Sequence, residues 1–209
     1  MEAYPEYIDI RKIGINRTGL TTDEKCRYSL TIDFENENKP ILVVIMMNPS
    51  HANEVSSDKT VNIVIDYAHN YFDKLFVFNV LPIVAPSNDK FANIENLDFH
   101  CKKNIETLIT ELGYLIEKEK EIKIKVILAT GSPKDTKIKE VFDRELQSVY
   151  KILYNNLESI NIESVSYKGS KLKNKKYTYH PSRKENDTFL PDVNLTIIKD
   201  PTGKYLLKI

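Results

Sequence analysis

Hydrophobic residues recur along the chain with two different periods. Between Tyr28 and Phe34 apolar and polar residues alternate, which predicts a strand with one buried face. Ile41 to Met47 is apolar without a break, as expected of a central strand that is covered on both faces in a parallel sheet. Leu75 to Leu81 and Ile122 to Ala129 are two further apolar segments of strand length. These segments predict the middle of a sheet.

Segments with helical spacing lie between and after these strands. Apolar residues recur every three or four positions in three segments: Thr60 to Phe72, Ile105 to Ile116 and Ile138 to Leu153. Ser57 or Asp58 is suited to cap the first helix, and Ser132 followed by Pro133 predicts the start of the third. Strands and helices therefore alternate, which favours an α/β fold.

The predicted architecture is a single domain over residues 1–209, a three-layer α/β/α sandwich with a mainly parallel central sheet. Residues 1–40 are expected to form an N-terminal extension and a hairpin, and residues 165–209 a lysine-rich loop and C-terminal strands. Tyr177 to Tyr179 and Leu195 to Ile198 are strand-like pieces in this last part. Folds of this kind bind ligands at the carboxyl ends of their strands.

Composition narrows the class of protein. The chain of 209 residues is 41% hydrophobic and 29% charged, which is enough apolar material for a sizeable core. No apolar run approaches the ~20 residues that a membrane span needs, and the first residues lack the pattern of a signal peptide. Cys26 and Cys101 form neither a disulfide framework nor a zinc-binding spacing. We expect a soluble cytoplasmic protein without a metal site, and its oligomeric state stays open.

Charge is balanced overall but not locally. Thirty basic residues match 30 acidic ones, which weakens the electrostatic case for a nucleic-acid partner. The segment from Lys168 to Lys176 is rich in lysine, and its candidate phosphate ligands are Lys171, Lys173, Lys175 and Lys176. Tyr167, Tyr177 and Tyr179 alternate beside them, and interleaved aromatic and basic residues can stack bases and follow phosphates. A solvated loop and a regular strand are the alternative interpretations.

Polar residues follow the predicted strands. The candidate substrate ligands are Pro49, Ser50, Asp58, Thr60, Asn79, Gly131, Ser182 and Arg183, and the candidate catalytic residues are Asn48 and His180. Structural roles are open for most of them, such as a turn at Asn48 to Ser50 and helix capping by Asp58 and Thr60. Asn79 is harder to explain in this way, because a buried amide without partners costs a few kcal/mol.

The same residues carry a resemblance to a known family. From about Cys26 to Pro133 the chain resembles the domain-of-unknown-function family 1643, through Arg27, Tyr28 and Leu30, Asn48-Pro49-Ser50, Asp58 with Thr60, and Asn79 with Pro82. The family label carries no activity.

A more distant resemblance suggests a chemistry. An apolar strand ending in Asn48-Pro49, and a later segment ending in His180-Pro181-Ser182, are similar to the two active-site motifs of the uracil-DNA glycosylase superfamily. The resemblance implies that Asn48 holds the attacking water, that His180 stabilises the departing base, and that Ser182 and the nearby lysines hold phosphate, without a cofactor. Met46 and Ser50 depart from this pattern, since both stand where mismatch-specific members have glycine, and Arg183 and Lys184 replace an expected leucine wedge.

Two hypotheses follow from these residues. The first is an N-glycosidase-like enzyme that acts on a nucleobase in DNA, a nucleotide or a nucleoside. The second is a non-catalytic nucleotide or nucleic-acid binding module on the same fold. The presence of both Asn48 and His180 favours the enzyme, whereas the departures at Met46 and Ser50 favour the binding module.

Overall fold

A computed structural model describes residues 1–19, 25–36, 38–84, 96–119, 124–134, 136–181, 189 and 191–209. In this part of the chain eight strands form one sheet, accompanied by three α-helices and a short 3₁₀ helix at Ile10–Lys12. The strands are β1 (Ile13–Gly19), β2 (Lys25–Asp33), β3 (Ile41–Met46), β4 (Lys74–Asn79), β5 (Ile124–Ala129), β6 (Ile160–Ser164), β7 (Val193–Lys199) and β8 (Tyr205–Lys208). The helices are α1 (Lys59–Tyr71), α2 (Leu97–Lys118) and α3 (Thr136–Tyr154).

The sheet is mixed, so the prediction of a mainly parallel sheet is wrong. Its strand order is β1-β2-β4-β3-β5-β6-β7-β8. The central pairs β4–β3, β3–β5 and β5–β6 are parallel, whereas the four outer pairs are antiparallel. The apolar segments predict the parallel centre correctly because strands covered on both faces have no polar side. The outer strands form two hairpins, β1–β2 and β7–β8. Strand β7 has one buried face and one exposed face, as its alternating burial shows.

The helices lie on both faces of the sheet. Val61, Val64 and Ile65 of α1 pack in one apolar cluster with Leu42 and Val44 of β3. The alternate residues of the same strand belong to a second cluster that contains the apolar sides of α2 and α3. We refer to these two sides as the α1 face and the α2/α3 face. All six residues of β3 are buried, since both faces cover it.

Two predicted boundaries are wrong for local reasons. Tyr177 to Tyr179 is not a strand, because the side chain of Asn174 accepts hydrogen bonds from the amides of Lys176 and Tyr177 and so holds a turn. Helix α3 begins at Thr136 rather than at Pro133. Ser132 accepts a hydrogen bond from the ammonium group of Lys173. The strand predicted at Leu195 to Ile198 is confirmed, since this segment lies within β7.

The structure also bears on the expectations from composition. None of the described helices combines the length and the apolar character that crossing a bilayer would require. Cys26 and Cys101 are buried and form no disulfide, and burial raises the pKa of Cys101 to about 12. In the described ranges no three histidine, cysteine or acidic side chains cluster closely enough to hold a metal ion.

Candidate functional site

Three neighbouring strands end side by side at one edge of the sheet. Met46, the last residue of β3, pairs with Asn79 of β4 on one side and with Ala129 of β5 on the other. The amide of Val80 donates to the carbonyl of Met46 at 2.9 Å, which keeps the chain after β4 beside the chain after β3. The segments that follow these strands therefore begin next to one another. We call this region the strand-end site.

Asn48 and Pro49 lie in the loop that follows β3. The amide nitrogen of Asn48 donates to the carbonyl of Pro49 at 3.1 Å. Asn48 is partly exposed, whereas Pro49 is buried. The loop therefore holds the Asn48 side chain at the carboxyl end of β3, where a ligand would enter.

Ser50, Asp58 and Thr60 form a helix cap. One carboxylate oxygen of Asp58 accepts hydrogen bonds from the amides of Thr60 at 2.8 Å and Val61 at 3.0 Å. The other oxygen accepts from the hydroxyl of Ser50. The capping interpretation is thus confirmed for Asp58 at the start of α1. These contacts tie the loop after β3 to the helix.

Asn79 is the most unusual polar residue of the strand-end site. Its side chain is 2% exposed, and neither its amide oxygen nor its amide nitrogen has a hydrogen-bond partner among the described residues. Leu75 and Val77 of the same strand belong to the α1 cluster, so alternation turns Asn79 toward the α1 face. The backbone carbonyl of Asn79 is separately held by the amide of Asn104 from α2, at 2.8 Å.

His180 packs against the end of β5. A Cβ built on Gly131 would lie 3.3 Å from the Cβ of His180, so the two residues are in direct contact. Thr178 supports this contact, because its hydroxyl accepts from the amide of Thr130 at 3.0 Å and lies 3.2 Å from the Thr130 hydroxyl. The structure thus brings His180 to the end of the strand next to β3. Ser182 and Arg183 lie outside the described residues.

The four candidate lysines have different surroundings. Lys176 forms an ion pair with Asp143 at 2.6 Å. Lys173 donates to the hydroxyl of Ser132, just after β5, and so reaches toward the strand-end site. Lys171 and Lys175 are exposed. The lysine segment therefore has one member bound to a carboxylate and three at the surface.

Arg27 is a residue of the strand-end site that the sequence interpretation missed. A register shift between β1 and β2 makes Tyr28 an extra residue of β2, a β-bulge. Tyr28 contacts His100 of α2 at 3.0 Å, whereas Arg27 donates through Nη1 to the carbonyl of Ala52, after β3, at 2.9 Å. Burial lowers the pKa of Arg27 to about 10, against the opposite effect of the Asp58 carboxylate. A basic residue at the start of a strand was the available signal.

A concavity of about 880 Å³ lies elsewhere, between the start of α2 and the second and third turns of α3. Its lining includes Arg144, which is paired with Asp98 at 2.6 Å and with Glu145 at 2.8 Å. Because this guanidinium already has two carboxylate partners, it is less available to a ligand than the buried side chains of Arg27 on β2 and Asn79 on β4. The strand-end site is therefore the better candidate.

The comparisons with known proteins give the family of the chain. A protein family described as "Protein of unknown function (DUF1643)" matches residues 27–182. The chain belongs to this family, whose matched range contains the described strand-end residues. No curated protein and no solved structure matches the chain.

Proposed function

We propose that the protein is an N-glycosidase-like enzyme that binds a nucleobase of DNA, a nucleotide or a nucleoside at the strand-end site. The proposal includes a three-layer α/β/α arrangement similar to that of the uracil-DNA glycosylases, for which the helices on both faces of the sheet are the supporting feature. The observation that carries the proposal is the buried Asn79 side chain, whose amide oxygen and nitrogen lack protein partners within the described ranges.

Asn79 has the chemistry of a base-recognition group. A side-chain amide both donates and accepts hydrogen bonds, as does the edge of a nucleobase. Leaving both atoms unpaired in the protein interior costs free energy, and a ligand edge would remove that cost. A base bound there would lie at the carboxyl end of β4, beside the loop that carries Asn48.

The catalytic roles go to Asn48 and His180. Hydrolysis of an N-glycosidic bond develops positive charge on the sugar and negative charge on the departing base. Asn48 would position the attacking water, and His180 would donate a hydrogen bond to the base as its charge develops. One such donor is typically worth about 3 to 4 kcal/mol of transition-state stabilisation. The contact between His180 and Gly131 supports this role, since it holds the histidine backbone at the site.

A non-catalytic binding module is the second candidate. The observation that favours it is the commitment of Asp58, whose two carboxylate oxygens accept hydrogen bonds from Ser50, Thr60 and Val61. A carboxylate used in this way is poorly placed to activate water. Such a module would use Asn79 in the same way to bind a nucleotide or a nucleic acid, with exposed lysines contacting phosphate.

The test compares base release with ligand binding in the same variants. Asn48→Ala and His180→Ala should each lower the rate of base release by about 10² or more and change ligand affinity much less. Asn79→Ala should instead weaken binding. Asn53→Ala is the matched control, because Asn53 is an amide in the same loop whose side-chain contacts lie within residues 51–56. Release is followed by chromatography over a panel of modified DNA and nucleosides, and affinity by calorimetry.

The possible results separate the candidates. Base release that persists unchanged in Asn48→Ala removes the catalytic assignment of that residue. Binding that depends on Asn79, without release of any base by the wild type, establishes the binding module in place of the enzyme. Absence of both binding and release over the whole panel rejects both functions.

A further inference from the structure

Arg27 presents an unused hydrogen-bonding edge inside the protein. Its side chain is 2% exposed, and Nη1 donates to the carbonyl of Ala52. Nε and Nη2 are buried and have no hydrogen-bond partner in the described part of the chain. The N–H groups of these two nitrogens point in the same direction from one side of the planar guanidinium, which is the geometry that binds two adjacent acceptors at once.

Arg27 lies at the same end of β4 as Asn79. In the sheet, β4 stands between β2 and β3. The backbone amide of Arg27 donates to the carbonyl of Pro82, three residues after Asn79, at 2.9 Å, and its side chain reaches the carbonyl of Ala52 in the loop after β3. Asn79 is the last residue of β4 and faces the same side of the sheet as Leu75 and Val77. The two buried groups therefore share one region.

The charge of this region disfavours a phosphate. The Asp58 carboxylate, at the start of α1, is close enough to interact electrostatically with the guanidinium. It therefore already balances the positive charge of Arg27, and it would repel a doubly charged phosphate placed beside it. A neutral ligand with two adjacent acceptors uses both free N–H groups without this repulsion.

We infer that Arg27, through Nε and Nη2, binds two adjacent hydrogen-bond acceptors on one edge of a neutral nucleobase, the arrangement of O6 and N7 in guanine and hypoxanthine. Adenine lacks this pair, because it carries an amino group in place of O6. The inference rests on the proposed function, since it specifies the class of base that binds beside Asn79. Asn79 then supplies the remaining donor and acceptor to the same base.

Inosine and adenosine are the probes, since their bases differ in whether position 6 carries an acceptor or a donor. Wild-type protein should bind inosine roughly tenfold or more tightly than adenosine, measured by calorimetry. Arg27→Lys retains the charge but loses the paired donors, so it should abolish this preference. Arg17→Lys is the control, because Arg17 is an exposed arginine that pairs with Glu54 at 3.1 Å, and it should leave the preference unchanged.

A second measurement needs no variant and covers the case in which Arg27→Lys does not fold. In assigned ¹⁵N-labelled wild-type protein, the Nε–H resonance of Arg27 should shift on addition of inosine and stay unchanged with adenosine. Equal affinity for the two nucleosides, or an unchanged Nε–H resonance with inosine, overturns the inference. Competition by inorganic phosphate that Arg27→Lys removes would make Arg27 a phosphate ligand and overturns it as well.

The inference and the proposed function fail in different ways. Binding of a pyrimidine nucleoside that depends on Asn79 but not on Arg27 rejects the inference and leaves the proposed function standing. Absence of binding for every base and nucleoside, in folded wild-type protein, rejects both.

Discussion

His180 packs directly on Gly131, with 3.3 Å between the His180 Cβ and the position that a Cβ on residue 131 would occupy. The next nearest atom, Cδ2 of the imidazole, lies 3.8 Å from the same position. Gly131 also has a φ of 64°, in the left-handed region where a side chain is disfavoured. Residue 131 therefore needs to be glycine for two separate reasons, one conformational and one steric.

Alanine substitutions at three glycines separate these two reasons. Gly131→Ala should lower the free energy of unfolding by about 2 kcal/mol or more and also displace His180. Gly169→Ala, with a φ of 71° and no atom within 4 Å of its added Cβ, should cost only the conformational part, about 1 to 2 kcal/mol. Gly113→Ala, within α2, should stabilise by up to about 1 kcal/mol. Urea denaturation measures all three.

The rate of base release and the affinity for the base or nucleoside are the functional measurements on the same variants. We expect both to fall in Gly131→Ala and to stay unchanged in Gly169→Ala and Gly113→Ala. Equal stability loss at residues 131 and 169, with function retained in both variants, would show that the contact with His180 is unimportant.

Substitutions of Asp58 distinguish its capping role from its charge. Asp58→Ala removes the acceptor for the amides of Thr60 and Val61 and should lower the free energy of unfolding by about 1 to 2 kcal/mol. Asp58→Asn keeps a capping oxygen and should cost clearly less. Both variants remove the charge that interacts with Arg27, so equal losses would mean that this charge, and not the cap, carries the contribution. Denaturation in urea is the measurement.

The exposed lysines predict a salt-dependent affinity for single-stranded DNA. If Lys171 and Lys175 contact phosphates, replacing both by alanine should flatten the plot of log affinity against log salt by about 1.4 units, or about 0.7 per contact. Lys176→Ala should change this slope less, because Lys176 is already paired with Asp143. Fluorescence anisotropy over a range of salt concentrations gives the slopes.

Alanine at the exposed helical residues Lys102 and Lys151 is the matched control for the same loss of charge. A slope that changes equally in the two double variants would assign the effect to net charge. Absence of any binding at low salt would leave the lysine segment as a solvated loop.

Asp143 predicts an acid-sensitive contribution to stability. Burial acts to raise its pKa, but hydrogen bonds from Lys139, Lys176 and Tyr177 outweigh that effect and hold the pKa below its ordinary value of 3.8. The contribution is therefore fully present above pH 3.8 and is lost as pH falls through the lower pKa of the folded state. Asp143→Asn should cost about 1 to 2 kcal/mol at pH 7, where the carboxylate is ionised.

Denaturation of the wild type and Asp143→Asn across acidic pH tests this sign. Their difference in stability should shrink as pH falls below 3.8, because the carboxyl is then protonated first in the unfolded chain and, at lower pH, in the folded protein as well. A difference that stays constant down to pH 2 would contradict the assigned network. Asp200→Asn is a second case, since hydrogen bonds from Thr202 and Lys204 also lower the pKa of Asp200, and its stability difference should shrink in the same direction.

The sequence predicts the parallel centre of the fold because burial on both faces leaves a visible pattern. The apolar run from Ile41 and the amphipathic spacing after Asp58 both correspond to elements of the structure, β3 and α1. The sequence carries no comparable signal for the orientation of the outer strands, since alternation of apolar and polar residues shows that one face is exposed but not whether the neighbouring strand is parallel or antiparallel. The sheet was for that reason expected to be more parallel than it is.

Residues of the candidate site also differ in how clearly the sequence indicates them. Asn79 was singled out because an amide within an apolar strand is chemically unusual, and the structure shows it buried. Arg27 belongs to the motif of the family resemblance but is not predicted as a site residue, because its burial depends on a bulge at Tyr28 and on a carbonyl 25 residues away in sequence. The strand prediction for Tyr177 to Tyr179 is wrong because the side-chain oxygen of Asn174 accepts hydrogen bonds from two backbone amides and holds a turn, which the alternation of residues does not reveal.

The bulge in β2 also bears on how the hairpin finds its pairing. If the ladder slipped by one residue and continued without the bulge, Arg27 and Cys26 would exchange faces. The guanidinium would then enter the apolar cluster that contains Cys101, and a charge without a partner in such surroundings is strongly unfavourable. The arginine of the strand-end site therefore also penalises misregistered hairpins during folding, with or without a ligand.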